Sequence, residues 1–378
     1  MKARRIFSLI FIVASILVVF FVAFGNSEIE NAWEVIFTLD IRWILAALGG
    51  WFAYLFFDSL TYYYCLKNQG HKIKLGTALY IGIVGFYFSD ITPGASGGQP
   101  MQVYEMSKRN IPVGIGTGAV TVRFIMNQFV TIVIAVVLWA TNLGFVSEQI
   151  GSLQGFYIAG FFINAGVIPV VFLAAFFPGF IYKIGCWFIS LGAKLHFVKK
   201  PEEAKEKYSG VLDTYKTSFR SLIKQPLQLL VQFIISALCM LGLFFVTYFV
   251  YRAFGLNEFS WVEVLTITVL LFISASYTPL PGASGAQEGG FLLYFAGIFP
   301  ETAIGLALLV WRFITFYLFL IVGAFTTIVG QIKNNRSAGK KDRLVKGFTG
   351  DSDVANEEMK SYYINNSNTQ AVKKENKD

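Results

Sequence analysis

The chain has 378 residues, of which 55% are hydrophobic, 17% aromatic and only 14% charged. Soluble domains carry about a quarter charged residues, and several apolar runs here reach the roughly 20 residues that cross a bilayer as a helix. A soluble globular protein is therefore excluded, and the net charge of +8 lies in clusters between apolar runs, an orientation signal rather than a nucleic-acid-binding surface.

In chain order, Lys2, Arg4 and Arg5 precede a first apolar run over about 6–24. It is long for a secretory signal and no small-residue cleavage site follows, so it is expected as a first membrane helix with a cytoplasmic N-terminus. The next loop holds Glu28, Glu30, Glu34 and Asp40, as an outer loop should, and a second helix over about 43–66 returns to the basic stretch KNQGHKIK. Residues 76–110 then run from an apolar arm into TPGASGGQP (92–100) and out through the polar QPMQVYEMSKRN. Both ends are basic, at Lys72 and Lys74 and at Lys108 and Arg109. That pattern predicts a re-entrant hairpin that enters and leaves by one face. Broken backbone at such depth must be buried in protein or line a watery cavity.

A third helix (about 113–140) carries Arg123, the loop TNLGFVSEQIGSLQG is expected outside, and a fourth helix (about 155–177) returns. An insert over 179–225 combines an amphipathic piece, IYKIGCWFISLGAKLHF, suited to the membrane interface, with a charged, solvated stretch. A fifth helix (about 226–250) precedes a second hairpin over 255–302, flanked by Glu258 and Glu301 and so opening outside. A sixth helix (about 303–329) carries Arg312. Residues 331–378 are polar and basic and are expected as a disordered cytoplasmic tail. The expected architecture is all-α: six spans and two re-entrant hairpins within 1–330, both termini cytoplasmic.

The hairpins repeat one another. PGASGGQ at 93–99 matches PGASGAQ at 281–287, and RFI at 123–125 matches RFI at 312–314. The units, about 43–140 and 226–329, are inverted on this topology, the sequence pattern of a transporter with a midplane site at the repeat interface. Helix breaks of this kind are expected to offer freed amides to an anion such as phosphate, with Gly97 and Gly285 admitting close approach. Ser96, Gln99, Ser284 and Gln287 add neutral hydrogen-bonding groups. Arg123 and Arg312 are costly in a membrane helix, about 2.5–3.5 kcal/mol each. Two readings stand side by side: a bidentate clamp on phosphate, or structural pairs of Arg312 with Glu288 and of Arg123 with Asp90 or hairpin carbonyls. Glu288 has the further alternative of capping the half-helix at Gly289. Asp58, near Tyr62, Tyr63 and Tyr64, reads as a satisfied helix-face acid, with a place in the site as the alternative. Asp90 and Glu288 are candidates to carry a coupling proton.

Other chemistry is thinly represented. Cys65, Cys186 and Cys239 are far apart, and His71 and His196 sit beside lysines, so neither a disulfide framework nor a metal site is expected, and no cofactor. No G-x-x-x-x-G-K-[ST] loop is present to supply ATP drive.

The paired PGASG motifs, the Arg-bearing helices after them and the span pattern, over roughly residues 5–330, resemble the membrane domain of the lysylphosphatidylglycerol synthase and flippase family. That resemblance implies movement of aminoacylated phosphatidylglycerol, or a related lipid-phosphate headgroup, between leaflets of the cell membrane, and resistance to cationic peptides. It also implies a lysyltransferase label. The synthases carry a large soluble transferase domain, and the roughly 45 residues after the last apolar run are too few and too polar to bury such a core. Catalysis is not expected here, and a separate lipid-modifying enzyme is the expected partner. Secondary transport of a small anion remains the alternative, and homo-oligomerisation is left open.

Overall fold

The computed structural model describes residues 37–194, 201–276 and 278–330. The expected first span (6–24) and the tail (331–378) lie outside the described residues. Backbone contacts part the chain into Met1–Ala324 and Phe325–Asp378, and everything that follows concerns the first unit except the last turns of the final helix.

Among the described residues all regular structure is helical. Among the described residues five helices are long and apolar enough to cross a membrane: Ile41–Asn68, Val113–Thr141, Leu143–Pro169, Pro226–Ala253 and Glu301–Gly330. We label the elements α1 (Ile41–Asn68), α2 (Leu75–Asp90), α3 (Gly98–Ser107), α4 (Val113–Thr141), α5 (Leu143–Ile150) and α6 (Gln154–Phe176). Then follow α7 (Pro178–Lys194), α8 (Pro201–Ile223), α9 (Pro226–Ala253), α10 (Trp261–Ala275), α11 (Ala286–Tyr294) and α12 (Glu301–Arg312). After Arg312 the last helix passes through a π turn at Phe313–Tyr317 before regaining α geometry.

Local chemistry sets several boundaries. Asp40 caps α1 by accepting from the Arg42 amide at 2.9 Å. Pro226 occupies the first turn of α9, where a missing N–H costs nothing. Ser260 and Glu263 form a reciprocal capping box that starts α10. The stretch expected as an outer loop, TNLGFVSEQIGSLQG, is instead largely helical. Val146 and Ile150 lie four residues apart on α5, and both are buried against the core, so tertiary burial secures a helix too short to stand alone. The charged part of the insert forms the single helix α8, which packs one side against α4 and α7 and keeps many of its described residues exposed.

Two apolar helices fall short of a span. At 16 and 15 residues, α2 and α10 reach only about 22–24 Å against a hydrocarbon core of about 30 Å. Each ends at a PGAS segment and is followed by a short helix, α3 or α11. Around these broken elements α1 and α9 form the most extensive helix pair. They approach closely because glycines face one another: a Cβ on Gly50 would lie 2.8 Å from the Gly242 carbonyl oxygen. Small residues at a crossing let backbones meet without side chains between them. One apolar core, including Trp51, Phe86, Phe244, Leu270, Phe291 and Trp311, joins α1, α2, α9, α10, α11 and α12.

Candidate functional site

The two PGA segments fold alike because they are alike. Gly94 (φ 57°, ψ 28°) and Gly282 (φ 60°, ψ 18°) both adopt the left-handed region. Ala95 (φ 54°) and Ala283 (φ 51°) follow them there. An L-residue with a Cβ loses about 1–2 kcal/mol in that conformation, and two occurrences at matching places mark a turn held by its surroundings. The turns close with the same bonds, Ala95 N to Thr92 O and Ser96 N to Pro93 O, then Ala283 N to Leu280 O and Ser284 N to Pro281 O. The tips also meet: the Gly94 amide donates to the Pro279 carbonyl at 3.0 Å.

The copies diverge one residue later, and the sequence says why. Gly285 takes φ 86°, and its amide donates to Glu288 Oε2 at 2.5 Å. The first copy has Pro100 where the second has Glu288, so no carboxylate is available. Gly97 stays at φ −85° and its amide donates to Thr92 Oγ1 at 2.8 Å instead. The amides of Gly97 and Gly285, expected to be free for a ligand, are therefore already used within the hairpins. The Ser284 hydroxyl is likewise turned inward, donating to the Pro281 carbonyl at 3.0 Å.

The arginines match in sequence but not in partners. Arg312 is braced on three sides: Nε donates to Glu288 Oε1 at 2.7 Å, Nη2 donates to the Gly282 carbonyl at 2.9 Å, and Phe316 lies 4.8 Å away across its ring face. Glu288 thus both pairs with Arg312 and caps α11, so the two alternatives weighed from sequence are both realised. Arg123 does not pair with Asp90 or with hairpin carbonyls. It donates from Nε to Asp58 Oδ1 at 2.5 Å, and its Nη2 lies 2.5 Å from the same oxygen. Asn127, one turn along α4, donates to that oxygen too, at 3.3 Å. Asp58, expected as a satisfied helix-face acid, is fully buried and is the counter-ion of Arg123. The correction has a simple cause: α1 packs against both α4 and α9, and the pairing joins positions 65 residues apart that no local spacing relates.

A cavity of about 340 Å³ opens where the tips meet. Of the residues singled out from sequence, Asp90, Gln99, Arg123, Gln287 and Arg312 line it, together with Gly94, Ala95, Gly282 and Ala283 of the tips. Ser96, Gly97, Ser284, Gly285 and Glu288 are not on its wall, and the last three support it from behind. Sequence reading missed Gln102, Thr247, Thr268 and Thr315, polar residues on otherwise apolar helices that line the same space. Tyr54, Phe86 and Phe319 form an aromatic wall, with Phe86 and Phe319 centroids 4.7 Å apart. The two arginines each face a bonded carboxylate. The Asp90 carboxyl group, on the same wall, makes no hydrogen bond or ion pair among the described residues. Chemically the space offers two guanidinium groups, one carboxylate and several amide and hydroxyl groups, enclosed by aromatic rings.

A family model described as the lysylphosphatidylglycerol synthase TM region matches residues 6–323, and the chain belongs to that family. Among curated proteins, a UPF0104 membrane protein of Archaeoglobus fulgidus is 25% identical over 329 residues, covering 83% of this chain and 94% of the relative. A UPF0104 membrane protein of Methanothermobacter thermautotrophicus is 23% identical over 256 residues, covering 64% of this chain and 71% of the relative.

Proposed function

We propose that this member of the lysylphosphatidylglycerol synthase membrane-region family is a lipid flippase, moving the headgroup of a phospholipid such as aminoacylated phosphatidylglycerol, or another lipid phosphate, between leaflets of the cell membrane. The observation that carries the reading is the single cavity in which both broken-helix tips and both arginines converge. A phosphodiester needs guanidinium donors, and Arg123 and Arg312 supply them at the wall. Acyl chains stay in the bilayer while the headgroup passes through the polar space. In this reading the units 43–140 and 226–329 are an inverted repeat, α2–α3 and α10–α11 are re-entrant hairpins entered from opposite faces, and both termini are cytoplasmic. Ser96, Gly97, Gln99, Ser284, Gly285, Gln287, Glu288 and Asp90 then build the headgroup path, some by contact and some by holding the tips. A separate enzyme supplies the modified lipid.

Leaflet exchange in proteoliposomes tests it. Purified protein is reconstituted with headgroup-labelled phosphatidylglycerol, its lysyl form and a zwitterionic control, and an impermeant quencher reports the inner-leaflet fraction. Rapid exchange that falls at least tenfold in Arg123→Ala supports the path. Folded protein that moves no lipid but takes up a soluble anion would replace this reading with small-anion transport.

A further inference from the structure

Around Arg123 lies a cluster of buried polar groups, most of them set back from the cavity wall. Asp58 Oδ1 takes every bond Arg123 and Asn127 offer it, and Asp58 Oδ2 has no hydrogen-bond partner. Three more buried polar atoms here make no hydrogen bond of good geometry, Tyr62 Oη, Gln102 Oε1 and Asn127 Oδ1, although the Tyr62 hydroxyl lies beside both the Asp58 carboxylate and the Gln102 side chain. They sit on three helices, α1, α3 and α4, and Gln102 reaches the cavity wall. Native interiors satisfy nearly all such atoms, so several together around one carboxylate ask for a physical reason beyond packing. The second arginine makes the contrast. Both Glu288 oxygens are bonded, and the Arg312 side chain is 5% exposed against 15% for Arg123. Arg312 is a brace. Arg123 has one carboxylate oxygen as its hydrogen-bond partner, with the Tyr62 and Phe86 rings 5.8 and 5.6 Å from its guanidinium.

We propose that Asp58 is a proton-binding site, taking a proton at Oδ2 and thereby releasing Arg123 to the phosphate of the headgroup. The coupling to headgroup binding rests on the flippase reading; the proton site itself does not. The proton comes from water through the cavity and forms an O–H bond at Oδ2. No covalent bond breaks, and the Arg123–Asp58 ion pair is exchanged for an Arg123–phosphate pair. Neither half is favourable alone. A protonated Asp58 without phosphate leaves a buried guanidinium uncompensated, and a phosphate arriving beside an ionised Asp58 meets two anions sharing one cation. Proton and headgroup therefore bind with positive linkage, each strengthening the other by the same factor. The groups facing Asp58 are consistent with a controlled titration: Tyr54 and Tyr62 from its own helix, Arg123 and Asn127 from α4, and Cys239 from α9, with Gln102 beside Tyr62. Among these, Arg123 alone carries a fixed charge.

The experiment uses the purified full chain in nanodiscs and two measurements. Infrared difference spectra on acidification report a protonated-carboxyl band. Titration with short-chain phosphatidylglycerol at a series of pH values reports linkage. The expected band is lost in Asp58→Asn and kept in Asp90→Asn. Wild-type affinity should rise as pH falls through the titration, by up to about tenfold per pH unit for one linked proton, while Asp58→Asn binds with the same affinity throughout. Asp58→Glu, which retains a titratable group if the amide variant does not fold, should keep both the linkage and a displaced band. A band that survives in Asp58→Asn, or a pH dependence that moves to Asp90→Asn, overturns the proposal. Absence of lipid binding with the Asp58 band intact overturns the carrier reading and supports the proton site.

Discussion

Gly94 and Pro279 are joined by a backbone hydrogen bond of 3.0 Å across 185 residues of sequence, so the two helix breaks form one structure rather than two. Two short helices, neither long enough to cross a bilayer, end against each other. Their exposed main-chain ends are satisfied locally, by Thr92 at one tip and by Glu288 at the other.

The matched glycines should not tolerate substitution equally. Both have φ near 60°, so alanine at either loses about 1–2 kcal/mol. At Gly94 nothing lies within 4 Å of the new Cβ, whereas at Gly282 the Phe316 ring already occupies the space. Thermal unfolding in detergent should place Gly282→Ala clearly below Gly94→Ala. Equal losses would show that the ring of Phe316 yields freely.

Arg312 and Glu288 are both buried, at 4% and 3% exposure. Removing one partner of such a pair typically loses about 3–5 kcal/mol, because the other charge is left uncompensated. Arg312→Met and Glu288→Gln should each destabilise strongly, with the double variant recovering part of the sum. Denaturant unfolding of the four proteins measures the coupling. Strict additivity would mean that the pair contributes through packing alone.

Asp90 behaves differently because it makes no bond to lose. Asp90→Asn should leave stability within about 0.5 kcal/mol of the parent while slowing leaflet exchange. A variant that is both destabilised and unaltered in exchange would assign Asp90 to structure instead of the path.

At the α1–α9 crossing, Gly50→Val should destabilise by about 1–3 kcal/mol, as overpacking does, since the Gly242 carbonyl has no room to retreat. Melting temperature of the purified variant checks this, and an unchanged value would mean the helices separate without loss.

The inverted arrangement is open to a labelling test. In a Cys186→Ser background, Asn110→Cys and Asn68→Cys flank the first hairpin, and Glu258→Cys lies before the second. Impermeant reagent on sealed vesicles should label the first two from one face and the third from the other. Labelling of all three from the same face would undo the inverted repeat.

What the sequence determined by itself was whatever depends on local composition. Apolar length placed the spans near 43–66, 113–140 and 226–250 within a few residues of the observed helices. Proline and glycine marked both breaks, and identical PGA strings produced matching left-handed turns that part only at Ser96 and Ser284. The Glu288–Arg312 pairing was legible because Glu288 follows directly on the motif and Arg312 holds the place matched by Arg123. Only the tertiary structure decided the rest. Asp58 looked like one acid on a helix face until α1 brought it onto Arg123, and the motif amides looked available until Thr92 and Glu288 bonded them. Helix α5 looked like a loop until the core buried Val146 and Ile150. In each case the deciding partner lies on another element or is chosen by side-chain direction, and neither is written in residue spacing. Charge pairing and cavity shape are long-range outcomes of packing, whereas helix length and turn geometry are short-range outcomes of chemistry.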